Sequence, residues 1–348
     1  MNEKRVKGVT LTILTESPVP LSYDQGYGNY TPIKKEQYRE KIHAKTSIAT
    51  ITYDLRRMLH QEYGWNLSNI VFGKKGNIYP SIKKNVGCVD ENGLETDVFG
   101  YLIPLKDKGS ISKASPLRII PFRSLNPYKG STQLITNRGF LSSEFGRKYY
   151  DEKEENEVPR DENFPTSQAL AIEETLSDYY VYTITLELDR IGVVEVEDGK
   201  LLLPEERKFM SKELREKAVK DILDAITVFT RNIKHSSVLL KPLAVIGGAF
   251  DKVVPFFWDD VDYNADSGEI NLEGVIETIE SYSLKESNTI LAINDRLKIS
   301  NKKELNKFNL SKYPVKEIKN LADRLEIGED NMWYLKSRRF LNYESITM

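Results

Sequence analysis

The first strongly patterned stretch of the chain, residues 6–16, alternates between apolar and polar positions with the two-residue period of a β-strand. One set of alternate positions, which includes Leu11 and Ile13, is apolar and is predicted to face the core. Apolar runs of strand length recur later and predict three more strands, over residues 97–103, 179–196 and 239–249. In the last of these, Gly247 and Gly248 would let a neighbouring backbone approach closely.

Two stretches carry the helical period instead. Residues 45–63 and 211–234 place apolar side chains three and four positions apart, and Ser211 is a suitable N-cap for the second helix. The resulting order, β-α-β-β-α-β, predicts an α+β fold of the ferredoxin-like type, which RNA recognition domains share. Shorter helices are expected at 272–282 and 315–325 in the C-terminal hundred residues, where no functional motif is recognisable.

Composition changes this picture in one respect. The 348 residues are 40% hydrophobic and 29% charged, as in a soluble globular protein, and the net charge of −2 with a pI of about 6.1 excludes a bulk polycation. Nucleic-acid binding would therefore need a local groove. A single cysteine, Cys88, excludes a disulfide framework and a cysteine-based zinc site. No signal-peptide core and no apolar run near the ~20 residues of a membrane span is present, so we expect a cytoplasmic protein.

A local groove is suggested by residues 115–148, which contain one acidic residue and several cations interleaved with aromatic rings. The cations of this stretch that are candidates for RNA binding are Arg118, Arg123, Lys129, Arg138 and Arg147. Cations bind phosphates and rings stack on bases, which is the combination that single-stranded nucleic acid requires. A solvated basic surface loop is the alternative.

The acidic segment that follows, residues 151–162, has almost no apolar side chains and is expected to be a mobile loop. Together with the basic stretch it predicts a long hairpin that projects from the body over residues 126–170. A second excursion covers residues 64–95. Both exceed ordinary loop lengths, which is typical of functional insertions. The aromatic signature of ordinary RNA recognition motifs is missing, so binding should depend on these insertions rather than on the open sheet face.

The entrance to the first helix is also basic, with Lys41, His43 and Lys45 preceding Thr46 and Ser47, either of which could cap it. A helix N-terminus with nearby lysines suits a phosphate group. A plain capped surface helix explains the same residues equally well.

Residues with catalytic chemistry are sparse. The three histidines show no metal-ligand spacing, and no nucleophile elbow, zinc motif or phosphate loop occurs. Asp24, in a glycine-rich loop, could assist metal-dependent RNA cleavage, although an aspartate there is more often a turn residue. Asp259, Asp260 and Asp262 lack the full spacing of a calcium loop and favour a solvated turn. We therefore predict no enzyme activity, no metal and no cofactor.

Several segments together resemble a known family: KGVTLTILTESPVPLSYDQGYGNYTPIKK, HAKTSIATITYDLRRML, TDVFGYLIP, SPLRIIPFRSLNPYKGSTQLITNRG and YYVYTITLELDRIG. In their order and spacing they are similar to the Cas-seven backbone subunit of CRISPR effector (Cascade) complexes, in the DevR-like branch of type I-B systems. The resemblance covers residues 5–250.

The resemblance implies a single right-hand-like domain. Its palm is a modified RNA-recognition fold formed by residues 1–63, 97–125 and 171–250. Residues 64–96 form the fingers insertion, 126–170 the thumb hairpin and 251–348 a C-terminal extension of the palm.

In function it implies a non-catalytic subunit that stacks head to tail along CRISPR RNA with further copies of itself and with other subunits of an antiviral complex. The protein holds the RNA backbone while the guide pairs with target DNA.

Carried over residue by residue, the resemblance places Lys34, Lys35, His43, Lys45 and Arg56 near phosphates on the palm. Arg118 and Arg123 continue that groove, and Arg138 and Phe140 belong to the thumb.

Three alternative functions stay open: a relative that cuts bound target RNA with an acid such as Asp24, a repeat-processing endoribonuclease that uses His43 or His60, and a general single-strand DNA protector.

Overall fold

The computed structural model describes residues 4–73, 76–105, 109–136, 148–150, 153, 155–158, 170–197, 200–305 and 307–337. A six-stranded sheet lies at its centre. Its strands in chain order are β1 Gly8–Ser17, β2 Leu117–Ser124, β3 Asp178–Glu187, β4 Ala244–Phe250, β5 Thr289–Ile293 and β6 Leu310–Ser311. Their spatial order is β2-β3-β1-β4-β5-β6, and every neighbouring pair is antiparallel except β5 and β6.

The described helices of α type are α1 Ile48–Tyr63, α2 Leu94–Phe99, α3 Lys212–Thr227, α4 Glu273–Ser281, α5 Lys302–Leu305 and α6 Pro314–Arg324. Strands β1 to β4 with α1 and α3 have the ferredoxin-like order along the chain and across the sheet. The predicted α+β fold with an RNA-recognition-like palm is confirmed.

Both long helices begin where a serine caps them. The Ser47 Oγ accepts a hydrogen bond from the Thr50 N–H at 3.2 Å, and the Ser211 Oγ accepts one from the Leu214 N–H at 3.2 Å. Helix α1 ends at Gly64, whose φ of 72° is the left-handed conformation that closes helices. The apolar faces of α1 and α3 pack on one face of the sheet in the larger core.

The predicted strand over residues 97–103 is wrong. Residues Leu94–Phe99 form α2, which ends at Gly100 with φ 72°, and Tyr101–Pro104 pairs with Ser110–Lys113 in a hairpin outside the central sheet. The second strand of the fold is instead β2, within the basic stretch. Its two arginines lie on either side of a register shift, so they suggested a binding loop and the strand period was hidden.

Three other elements are shorter than predicted. Strand β3 ends at Glu187, α3 ends at Thr227, and β4 begins only at Ala244. A hairpin of Thr230–Ile233 and Ser236–Leu239 fills the interval before β4. The close approach expected at Gly247 and Gly248 is present, since a Cβ at either position would lie 1.9 Å from a carbonyl oxygen of a neighbouring segment.

The excursion after α1 continues past residue 95, up to the start of β2. It contains a hairpin of Ile70–Phe72 and Ile78–Pro80, then α2, then the hairpin that ends at Lys113. Val86, Ile103 and Ile111 of the excursion form a small separate core with Val196, which lies after β3. A buried ion pair within this insertion joins Lys113 Nζ to Asp97 Oδ1 at 2.5 Å. Hydrogen bonds from Lys113 Nζ to the Val193 carbonyl oxygen and from the Gly192 N–H to Asp97 Oδ2 tie the insertion to the segment after β3.

The sheet face opposite α1 and α3 is not open. Residues beyond 250 pack on it and form a second core, in which Phe257, Val275 and Leu297 meet Leu14 and Ile246 of the sheet. Stacking of bases across this face, as in ordinary RNA recognition motifs, is therefore sterically excluded where the C-terminal residues cover it.

The hairpin predicted to project over residues 126–170, called the projecting hairpin below, is described mainly at its base. Strand Thr132–Thr136 pairs antiparallel with Leu170–Glu174, which in turn runs parallel to Tyr30–Thr31. Further out, Tyr149–Tyr150 pairs with Glu157–Val158. Most of the acidic loop predicted over residues 151–162 lies outside the described residues.

The remaining strands form small sheets at the periphery. Their pairs are Lys4–Arg5 with Trp333–Leu335, Leu325–Ile327 with Trp333–Leu335, Lys35–Tyr38 with Lys41–Ala44, Val193–Val194 with Lys208–Phe209, Val196–Glu197 with Lys200–Leu201, and Asp262–Asn264 with Glu269–Asn271. In the part of the chain that the structure describes, no helix combines the length and apolarity needed to cross a membrane.

Candidate nucleic-acid interface

The interface begins at a β-bulge in β2, the edge strand of the central sheet. Arg118 and Ile120 lie opposite Thr185 and Thr183 of β3, but the register shifts after Ile120, so Arg123 lies opposite Val181. Residues directly opposite each other share a sheet face. The bulge therefore places Arg123 on the face away from the helices, where a regular strand would have turned it inward.

Pro121 and Phe122 occupy the bulge, and each suits it. An edge strand and a bulge are the positions at which a sheet tolerates proline, because no ladder hydrogen bond is lost there. The Phe122 ring enters the helix-side core, where its centroid lies 4.0 Å from that of Tyr182. Buried anchoring of Phe122 holds the neighbouring arginine in place.

The hairpin Lys35–Tyr38 and Lys41–Ala44 lies beside this strand. The His43 Nδ1 lies 2.8 Å from the Ser124 carbonyl oxygen, the Ala44 N–H donates to the Ser124 Oγ at 3.0 Å, and Lys45 forms a backbone bridge with Arg123. His43 is only 7% exposed, and burial holds the pKa of its imidazole below the usual value. A buried neutral histidine of this kind positions backbone rather than binding phosphate directly.

Between these elements and the 262–271 hairpin lies a groove of about 590 Å³. Its cationic and aromatic wall consists of Tyr38, Arg39, Lys41, His43, Arg123 and Lys129. The opposite wall contains two carboxylates, Asp262 and Asp266, together with Asn264. The groove runs from the edge strand to the root of the projecting hairpin, because residues 124–129 join the two.

Arg123 is the best-anchored cation of the groove. Its guanidinium lies 3.5 Å from the centroid of the Tyr38 ring, and the residue is 8% exposed. Burial lowers the pKa of this guanidinium, although arginine keeps its charge in proteins. The contact with Tyr38 restrains the guanidinium, and an arginine fork at the lining of a groove is suited to a bidentate contact with a phosphate.

Lys45 and the first turn of α1 follow the same hairpin. The Lys45 ammonium pairs with Glu36 at 2.9 Å, and Ser47 caps the helix. Thr46 is fully buried, and its Oγ1 has no hydrogen-bond partner. The first helix is therefore capped as the alternative predicted, and Ile48 and Ala49 of its first turn are exposed.

Lys34 and Lys35 belong to a different cluster at the base of the projecting hairpin. Lys34 pairs with Asp24 at 3.4 Å, and Lys35 pairs with Glu174 while lying 4.4 Å from the centroid of the Tyr128 ring. Burial alone would raise the pKa of the Glu174 carboxyl, but hydrogen bonds from Lys35, Tyr30 and the Ile33 N–H hold it below its usual range. This cluster ties the loop after β1 to strand Leu170–Glu174.

The other predicted site residues lie apart from the groove. Arg56 pairs with Glu95 at 3.0 Å and stacks 4.2 Å from the Phe99 centroid, so it joins α1 to the insertion. Arg118 pairs with Glu187 at 2.6 Å, roughly 15 Å along β2 from Arg123. Arg138, Phe140 and Arg147 lie outside the described residues.

Sequence reasoning missed Tyr38 and Arg39, although it noted Lys41 at the basic entrance to α1. Tyr38 and Arg39 lie three and two residues before Lys41, so extending that basic segment toward the N-terminus would have included them. The hairpin at residues 262–271 could not have been placed opposite them, because only tertiary packing brings it to the groove. Among the described residues, no group of three or more His, Cys, Asp or Glu side chains is arranged to hold a metal ion.

Asp178, the first residue of β3, contacts Asn126 in the segment that leads from β2 to the projecting hairpin. Its Oδ1 accepts hydrogen bonds from the Asn126 Nδ2 and the Tyr179 N–H, both at 2.7 Å, while its buried Oδ2 has no hydrogen-bond partner. Burial raises the pKa of this carboxyl from the ordinary 3.8 to about 6.

The raised pKa of Asp178 predicts a pH-dependent stability. The folded chain holds this proton more tightly than the unfolded chain. The protonated Asp178 carboxyl therefore adds to the free energy of unfolding, fully below pH 3.8, and this addition is lost as the pH rises through about 6. We expect the melting temperature of the wild type to fall relative to that of Asp178→Asn across this window. Thermal melts of both proteins at matched ionic strength measure the difference, and parallel pH profiles would contradict the assignment.

Comparisons with known proteins give a shared fold. No protein-family model matches the chain, and no curated protein matches it. A chain of a solved "CRISPR RNA-guided surveillance complex, pre-nicking" superposes with a TM-score of 0.54 at 9% identity, over 91% of this chain and 99% of that one. A chain of a "CRISPR RNA-guided surveillance complex" gives a TM-score of 0.49 at 11% identity, over 91% and 98%. At such identity the first similarity shows the fold alone.

Proposed function

We propose that this chain is a non-catalytic CRISPR RNA-binding backbone subunit of a surveillance complex, of the DevR-like type I-B branch. In this proposal, copies assemble head to tail along the guide in the cytoplasm, beside other subunits, and leave the guide free to pair with target DNA. The fold shared over 91% of the chain with a chain of an RNA-guided surveillance complex supports this assignment.

The observation that carries the proposal is the groove. It combines a stacked, buried arginine with three further cations at the junction of the edge strand and the projecting hairpin. Contacts of this kind bind the phosphate backbone without reading bases. A groove that holds any guide sequence is what a backbone subunit requires.

The surroundings of His43 favour a binding role over catalysis by this residue. His43 is buried, with its Nδ1 against a carbonyl oxygen. A general base needs an accessible nitrogen or oxygen within reach of the proton that it takes.

The test is co-expression of the tagged chain with a CRISPR array and the partner subunits, followed by purification and sequencing of the retained RNA. We expect retained CRISPR RNA in assemblies that contain several copies of the chain, and binding that weakens steeply with salt and ignores spacer sequence. The same expression without the array is the control. An RNA-free monomer under these conditions, cleavage of the bound RNA, or equal affinity for single-stranded DNA would contradict the proposal.

A further inference from the structure

The groove contains a contact between its two walls. The Arg39 Nη1 on one side lies 2.8 Å from the Asp262 Oδ1 on the other, and the two side chains are 54% and 62% exposed. Both residues line the same groove, so this ion pair crosses the space that a bound strand would occupy. Asp266 adds a second carboxylate to the same wall.

Arg39 differs from the other cations of the groove in having this partner. Among the residues that the structure describes, Lys41, Arg123 and Lys129 have no carboxylate within ion-pair distance, whereas Arg39 has Asp262. A carboxylate at 2.8 Å occupies the N–H group that would otherwise donate to a phosphate oxygen. One cation of the groove is therefore engaged before any ligand arrives.

The backbone holds Arg39 in this position at a conformational cost. Arg39 and Glu40 are the central residues of a two-residue hairpin turn, and their φ angles of 44° and 66° both lie in the left-handed region. Asn-Gly is the usual choice for such a turn, because other side chains are strained there. The turn directs Arg39 from the hairpin tip toward the opposite wall.

We propose that Asp262 is an intramolecular competitor of RNA for Arg39, an autoinhibitory contact that closes the groove at one point in the free chain. A phosphate group of the bound strand takes over Arg39, and the 262–271 hairpin loses its hold on the first wall. This inference rests on the proposed function, since it assumes that the groove binds an RNA backbone. It adds that binding must break a contact within the protein.

The strength of the contact limits the effect. Exposed ion pairs contribute little, so a ligand that supplies several phosphates displaces the carboxylate readily. We expect Asp262→Asn to tighten binding of a single-stranded RNA oligonucleotide by about two- to fivefold at low salt. Fluorescence anisotropy titration of the labelled oligonucleotide measures this shift in dissociation constant.

A matched control is available in α6, which packs in the helix-side core and does not line the groove. Asp323 pairs with Lys220 at 2.6 Å, and the two side chains are 60% and 61% exposed, close to the values for Asp262 and Arg39. Asp323→Asn removes the same charge from the same kind of pair outside the groove. We expect it to leave the dissociation constant unchanged.

A double-mutant cycle distinguishes a direct contact between Asp262 and Arg39 from the general electrostatic effect of removing a negative charge. Removing any negative charge near the groove would attract RNA somewhat, whatever Asp262 contacts. If Asp262 acts by occupying Arg39, the gain from Asp262→Asn disappears in an Arg39→Gln background. An equal gain in both backgrounds, or no gain in either, would overturn the proposal.

The same titrations show which proposal has failed. RNA binding by the wild type that depends on Arg123, without a gain for Asp262→Asn, would overturn the autoinhibitory contact and leave the proposed function standing. A wild type and variants that all fail to bind RNA would overturn both. Thermal melts of each variant establish that the changes in affinity do not come from unfolding.

Discussion

Arg123→Gln is expected to weaken binding of single-stranded RNA by about 10- to 100-fold, the effect of losing a charge-assisted bidentate contact. Arg123 is the cation whose guanidinium the structure restrains, through its contact with the Tyr38 ring at 3.5 Å. Its loss should also reduce the slope of log affinity against log salt concentration by about one. Titrations at several salt concentrations give both quantities.

Arg118→Gln is the matched control for this experiment. Arg118 lies on the same strand and the same sheet face, but it pairs with Glu187 and is absent from the groove lining. We expect a change of less than about threefold, typical of a peripheral cation. Arg123→Lys keeps the charge but loses the bidentate N–H geometry, so its affinity for RNA should lie between those of the wild type and Arg123→Gln. Equal losses for Arg118→Gln and Arg123→Gln would place the binding surface elsewhere.

Lys113→Met is expected to lower the free energy of unfolding by about 3–5 kcal/mol, the cost of leaving a buried charge without its partner. The Lys113 Nζ lies 2.5 Å from the Asp97 Oδ1 and donates to the Val193 carbonyl oxygen at 2.7 Å. The Asp97 Oδ2 accepts the Gly192 N–H at 2.6 Å. The pair joins three segments, so urea denaturation should show the loss in the main transition.

The double variant Lys113→Met/Asp97→Leu tests the cause. Replacing both charges with apolar side chains removes the unpaired carboxylate, so much of the lost stability should return. Lys220→Met breaks the exposed pair with Asp323 and should cost less than about 1 kcal/mol. A single variant as stable as the wild type, or a double variant no better than the single one, would contradict the role of the pair.

The secondary structure was predictable for elements with a buried apolar face, because the spacing of the apolar residues then shows the period of the strand or helix. Strand β1 and helices α1 and α3 show their periods plainly, and Ser211 marks the start of its helix. Strand β2 was missed because it lies at the sheet edge with a bulge and two arginines, a pattern that also describes a binding loop. Residues 97–103 were misassigned because a short apolar run does not distinguish a helical turn from a strand.

The residues of the candidate site were also predictable only in part. Arg123, Lys129 and His43 were identified from the density of cations and from the basic helix entrance, and the structure brings them to one groove. Arg56 and Arg118 were equally good candidates by sequence, but each pairs with a carboxylate elsewhere. A cation's neighbours in sequence do not reveal which carboxylate the fold places beside it.

By itself, the sequence determined the class of fold, the order of its core elements and the presence of a local cationic surface, since these follow from periodicity and composition. Only the tertiary structure decided which cations share a groove, because the bulge in β2 sets the direction of Arg123. It also decided that the second sheet face is covered and that Asp262 faces Arg39. Arg39 and Asp262 lie more than two hundred positions apart, and no local pattern encodes such a contact.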